Sequence, residues 1–123
     1  MDPTTLEEMR RVLGELREKH RMLLTAVVSH GGVPLAWHAP PQVQVETVAT
    51  LAATLTGSCE LLFQGLGKRA PRTLVVDGQD GAIVTTTLGT KTFLAAVLPT
   101  RTEEAVKAVE AAAAALRSIM QVA

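Results

Sequence analysis

The sequence is poor in aromatic side chains, has no Asn and no Tyr, and holds a single cysteine. Trp37, Phe63 and Phe93 are the whole aromatic set, against eighteen alanines. A core drawn from this stock rests on aliphatic and small side chains, with backbones in close approach. One cysteine excludes an internal disulfide framework and a cysteine-based zinc finger. Neither sign of charge is in surplus, with 12 Lys+Arg against 12 Asp+Glu. The chain therefore lacks the positive excess with which nucleic-acid binders neutralise phosphates, and no nucleic-acid partner is expected. No uncharged apolar run reaches the ~20 residues of a membrane span, so direct membrane insertion is not expected either. Glu7, Glu8, Arg10 and Arg11 stand where a secretory signal has its apolar core, which points to the cytoplasm. With 123 residues, the chain fits one domain of the usual ~100–200 residues. We expect that domain to span residues 1–123, without an internal repeat.

What is present has a clear periodicity. Leu6, Met9, Leu13 and Leu16, widened by Val12, form the stripe of an N-terminal helix. Its start is marked either by a Thr4–Glu7 or Thr5–Glu8 capping box or by Asp2-Pro3. Met22–Val28 is a nearly unbroken apolar run, as expected of a strand covered on both faces. Gly31-Gly32 makes a turn into a second strand, in which Val33, Leu35 and Trp37 alternate with Pro34, Ala36 and His38. Pro34 has no ladder donor, which places that strand at a sheet edge.

Residues 43–66 read as a long helix starting near Pro41-Gln42. One stripe, expected to face the core, is Val48, Ala52, Leu55, Cys59, Leu62 and Leu66. A second is Thr47, Leu51, Thr54, Ser58, Leu61 and Gly65. A helix apolar nearly all round must be buried nearly all round, and a domain this small has trouble covering both flanks. The second stripe is therefore expected to be an intermolecular surface. Three strand signals follow at Arg72–Asp77, Ala82–Leu88 and Thr92–Leu98, joined by Gly-rich turns into an antiparallel meander. The last is apolar on both faces and belongs in the sheet centre. The first has no proline in its body and forms an edge open to pairing. Thr100 to Glu103 offers a capping box for a final helix with the stripe Val106, Val109, Ala113, Leu116 and Met120.

Side chains that could carry chemistry do not converge. Cys59 lies mid-helix with no base beside it in sequence and is expected in the core. His20, His30 and His38 have no metal-ligand spacing, and no metal or cofactor is expected. Gly65–Arg69 lacks the first Gly of a phosphate loop, where Leu62 stands, and its Ser/Thr, where Arg69 stands. It reads instead as a helix end with Gly and cations. Lys68, Arg69 and Arg72 form the one basic cluster, read as solvated, with contact to an acidic partner surface as the alternative.

The order is αββαβββα. It implies an α+β fold whose five-stranded antiparallel sheet is sandwiched between one long helix and two terminal helices. With its carriers Ala26–Trp37, Val48–Lys68 and Thr73–Leu98, the chain resembles the roadblock family, which includes dynein light chains and bacterial partners of small GTPases. The His30-Gly31-Gly32 turn departs from the Asp-Gly often found there. The resemblance implies a profilin-like fold and dimers that join edge strands into one sheet and set two long helices side by side. It also implies a non-enzymatic platform for a small Ras-like GTPase, with hydrolysis stimulated in some relatives. Arg69 and Arg101 are candidate arginine fingers by charge alone. The expected homodimer contacts are Thr47, Leu51, Thr54, Ser58 and Leu61 on the helix and Thr73, Leu74 and Val75 on the edge strand. The competing expectation is a small-molecule-sensing domain held between sheet and helix. It is disfavoured by the scarcity of directing polar groups.

Overall fold

The computed structural model describes residues 1–121. Helix α1 (Pro3–Lys19) starts from Asp2, whose Oδ1 accepts the Thr5 backbone N–H at 2.8 Å, with Pro3 in the first turn. That N–H holds the Asp2 carboxyl below its usual range. Of the two start signals in the sequence, Asp2-Pro3 is the one used. Strands β1 (Leu24–Ser29) and β2 (Pro34–His38) form a hairpin. Its turn tucks against the next helix: Gly32 has φ +90°, and a Cβ there would meet the Thr50 Cα at 3.2 Å. Both facts favour glycine at that position.

Helix α2 (Val45–Gly65) is followed by strands β3 (Thr73–Gly78), β4 (Gly81–Thr87) and β5 (Thr92–Leu98) and by helix α3 (Glu103–Met120). The cap of α3 is Thr102, which accepts from the Ala105 backbone N–H at 3.1 Å, and not Thr100. The intervening residues carry the chain from the sheet to the helix. Helix α2 likewise begins three residues later than Gln42, because Pro40-Pro41 is followed by a turn.

All strands are antiparallel, in the order β2-β1-β5-β4-β3. β5 is central and β2 and β3 are the edges, as the sequence pattern requires. Alternate strand residues feed two cores. On one face Val27, Val84, Leu94 and Leu98 pack against Met9 and Leu13 of α1 and Val109 and Leu116 of α3. On the other, Leu24, Ala26, Val28 and Phe93 pack against Val45, Ala49 and Ala52 of α2. The fold is therefore α+β, with a five-stranded antiparallel sheet between one long helix and two terminal ones.

Candidate interaction surface

Helix α2 touches its own sheet along a narrow line. Its buried residues are Val45, Ala49, Ala52 and Thr56, spaced 4-3-4, and all are small or β-branched. Its two flanks can be told apart by their contacts. One faces the hairpin turn, where Thr50 and Ala53 lie against Gly32 and Glu60 binds His30. The other faces β3 and β4. There Thr56 and Cys59 border a gap of about 10 Å³ with Arg72, Leu74, Thr85 and Thr87, and Thr56 Oγ1 donates to Thr85 Oγ1 at 3.5 Å.

The stripe Val48-Ala52-Leu55-Cys59-Leu62-Leu66, expected to be core, is this β3-facing flank. Ala52 is buried and Val48, Leu55 and Cys59 are half-buried, but Leu62 and Leu66 are 60% and 61% exposed. Cys59, expected in the core, is half-buried on this flank instead. The second stripe points away from the sheet: Thr47, Thr54 and Ser58 are exposed, and Leu51 and Leu61 are 62% and 69% exposed. Residues at 51, 61, 62 and 66 thus make one apolar surface over neighbouring arcs of the helix. Sequence reasoning found half of it and gave Leu62 and Leu66 to the core. Their signal was the stripe itself, assigned to the wrong side.

The β3 edge continues this surface. Leu74 and Val76 point to the α2 side, where Leu74 is half-buried and Val76 exposed. Thr73 and Val75 point to the opposite side. Thr73 Oγ1 shares a 2.9 Å hydrogen bond with Thr86 Oγ1, and Val75 packs against the α1/α3 core. Of the three edge residues expected from sequence, only Leu74 shares a sheet face with α2. The backbone groups alternate too. The Arg72 carbonyl accepts from the Thr87 N–H at 3.0 Å, so even-numbered residues bond to β4. The N–H and C=O of Thr73, Val75 and Asp77 then face outward, away from the sheet.

Titratable side chains form no reactive set. His30 Nε2 lies 3.1 Å from Glu60 Oε1. A carboxylate only accepts, so Nε2 carries the proton. His30 Nδ1 is buried without a partner, and the ring stands edge-on to Phe93. His38 bonds instead to Arg17, at 3.2 Å. Among the described residues no three His, Cys, Asp or Glu side chains converge on a metal-sized site. Among the described residues no helix is long and apolar enough to cross a membrane. Lys68, Arg69 and Arg72 stand exposed at the start of β3, and Asp77 and Asp80 at its end.

Comparison with known proteins agrees with this architecture. The Roadblock/LC7 domain family model matches residues 9–98. No curated protein sequence matches. An MglB with a tetrameric arrangement is similar at a TM-score of 0.87 and 24% identity, over 98% of this chain and 93% of that one. The gliding protein MglB from Thermus thermophilus is similar at 0.87 and 23%, over 98% and 94%. A Roadblock/LC7 domain from Streptomyces avermitilis is similar at 0.75 and 18%, over 92% and 98%.

Proposed function

This chain belongs to the Roadblock/LC7 domain family, and on that premise we propose that it acts without catalysis, as a homodimeric regulator that docks a small Ras-like GTPase. The observation that carries the dimer is the apolar surface of Leu51, Leu61, Leu62 and Leu66, beside an unpaired β3 edge. Burying one such side chain contributes about 1.5–3 kcal/mol. A second copy covers the β3-facing flank of α2 and pairs with the edge at once. One of the similar structures is described as having a tetrameric arrangement, so assembly on this fold has a precedent.

The arc of α2 opposite the sheet, with Thr47, Thr50 and Thr54, stays open in such a pair. Two copies present it as one platform for the GTPase. If the platform also stimulates hydrolysis, the exposed Arg69 and Arg101 are the cations to test first. The ~10 Å³ gap between α2 and the sheet has room for about one water, which gives the sensing alternative no support.

Light scattering at micromolar concentration tests the dimer. A mass of two chains is expected, and a single-chain mass overturns it. Co-purification with small Ras-like GTPases loaded with GTP or GDP tests the partner. Nucleotide-dependent retention is expected, and no retention in either state overturns the docking role.

A further inference from the structure

Apart from Met1, the large apolar side chains left exposed fall into two groups. Leu51, Leu61, Leu62, Leu66 and Val76 belong to the α2 and β3 surface, and Leu23, Val33 and Trp37 lie around the opposite edge of the sheet. A dimer formed through β3 leaves the second group uncovered. Trp37, the only tryptophan in the chain, is 41% exposed, and Leu23 is 49% exposed. The two stand at one end of the β1–β2 hairpin, where β1 begins and β2 ends. Helix α1 ends there as well, with Arg17, Lys19 and Arg21 against Glu18, in a chain whose charges balance overall. We propose that this corner is a docking site for an anionic lipid surface. Trp37 and Leu23 enter the headgroup boundary, and Lys19 and Arg21 meet the lipid phosphates.

Contacts fix the corner. Gly14 lets α1 come close to β2: a Cβ there would meet the His38 ring at 3.1 Å. One turn on, Arg17 Nη1 lies 3.2 Å from His38 Nδ1, and Arg17 Nε donates to the Leu23 carbonyl at 3.2 Å. A guanidinium only donates, so His38 Nδ1 accepts and Nε2 carries the proton, 3.7 Å from Glu18 Oε1. Arg17 thus ties the end of α1 to Leu23 and His38 and acts as a positioning residue. Arg21 has φ 54°, a left-handed conformation in which glycine is the relaxed choice after a helix. The side chains of Arg21 and Lys19 are exposed and make no ion pair among the described residues. The fold itself therefore has no use for either cation.

The shape of the corner and its charge favour a lipid surface over a protein segment. A partner strand needs a regular free edge, and β2 has Pro34 and a register irregularity against β1. A planar surface needs neither free backbone groups nor a groove. Trp37 pairs with Ala26, which faces α2, and His38 pairs with Thr25, which faces α1. The tryptophan and the α1 cations therefore flank the rim of the sheet from its two sides. Tryptophan settles at headgroup depth, and cations beside it are drawn to anionic lipid. Two apolar side chains and a few cations give a reversible, salt-sensitive attachment and no spanning segment. This goes beyond the regulator reading and does not depend on it.

Because Trp37 is the sole tryptophan, its fluorescence reads the contact directly. The full chain is titrated with vesicles of equal parts phosphatidylcholine and phosphatidylglycerol, and with vesicles of phosphatidylcholine alone. Bound protein is measured in parallel by co-sedimentation. At low salt the mixed vesicles are expected to move Trp37 emission to shorter wavelength and to bind at least about tenfold more tightly than phosphatidylcholine alone. High salt is expected to release the protein. Lys19→Gln and Arg21→Gln should each weaken binding about fivefold, the equivalent of about 1 kcal/mol per cation. Trp37→Ala, read by co-sedimentation, should weaken it by at least about fivefold. If that variant melts early, Leu23→Ser takes its place with the same expected direction. Lys68→Gln, at the far edge of the sheet, should leave binding unchanged, and a loss there equal to that of Arg21→Gln overturns the location. Equal binding to both vesicle types, binding to neither, or binding with Trp37 emission unmoved overturns the proposal. A shift produced by soluble poly-glutamate and not by the mixed vesicles overturns it in favour of an acidic protein partner. None of these readouts depends on dimer mass or GTPase retention, so the regulator reading stands or falls separately.

Discussion

At the scale of single residues, Gly57 is the anomaly of α2. It sits mid-helix, where glycine costs about 1 kcal/mol relative to alanine. A Cβ added there meets nothing within 4 Å, so the chain itself gives no reason for the glycine. Gly57→Ala should therefore stabilise the isolated chain by about 0.5–1 kcal/mol, seen as a higher midpoint in thermal or urea melts. A lower midpoint would mean that this backbone is already in close contact. Because Gly57 borders the arc assigned to the GTPase, the same variant also shows whether a partner's backbone approaches there. Thr102 gives a prediction of the opposite sign. Its side chain caps α3, so Thr102→Ala should cost about 1 kcal/mol. Thr100→Ala, two residues before the cap, should change the melt by less than about 0.5 kcal/mol. Both threonines stand in cap-like sequence contexts, and only the path of the chain out of β5 decides between them. That path is a tertiary fact which the local pattern does not contain.

At the scale of elements, the sheet was legible and the rotation of α2 was not. The doubly apolar runs of β1 and β5, Pro34 in β2 and the Gly-rich turns fixed the strand order, because each restricts backbone pairing directly. For α2 the periodicity offered two stripes of similar apolarity, and its only charges, Glu46 and Glu60, lie on neither stripe and so do not tell inside from outside. Size decided the matter. A helix lying close over Phe93 and the Gly32 turn can set only Ala49, Ala52, Thr56 and Val45 beneath it, and leucines are pushed to the flanks. Paired substitutions check this. Ala52→Leu overfills the buried line and should cost about 1–3 kcal/mol of fold stability. Leu62→Arg, on the exposed flank, should leave the melt of the dilute monomer within about 0.5 kcal/mol and abolish the dimer mass in light scattering. If Leu62→Arg unfolds the chain, Leu62 belongs to the core as its sequence stripe suggested, and the surface shrinks to Leu51, Leu61 and Leu66.

For the whole molecule, the two edges of the sheet are managed differently, and this predicts where exchange with solvent will be slow. β2 begins with Pro34, has a register irregularity against β1 at Val27/Val28, and ends at His38, which α1 holds through Arg17. These devices discourage further pairing. β3 pairs with β4 in regular register over its whole length and has none of them. Amide hydrogen exchange should therefore show an alternation in β3. Leu74 and Val76, bonded to β4, should be protected at every protein concentration. Thr73, Val75 and Asp77, which face outward, should exchange within the dead time in a dilute sample or in Leu62→Arg. They should slow by at least about tenfold at concentrations where two chains associate, because their protection then measures the dimer and not the fold. The amides of Leu35 and Trp37 in β2 should not respond to concentration. Slowing at β2 instead of β3 would move the proposed junction to the opposite edge of the sheet and leave the leucines of α2 without the neighbour that a β3 junction would provide.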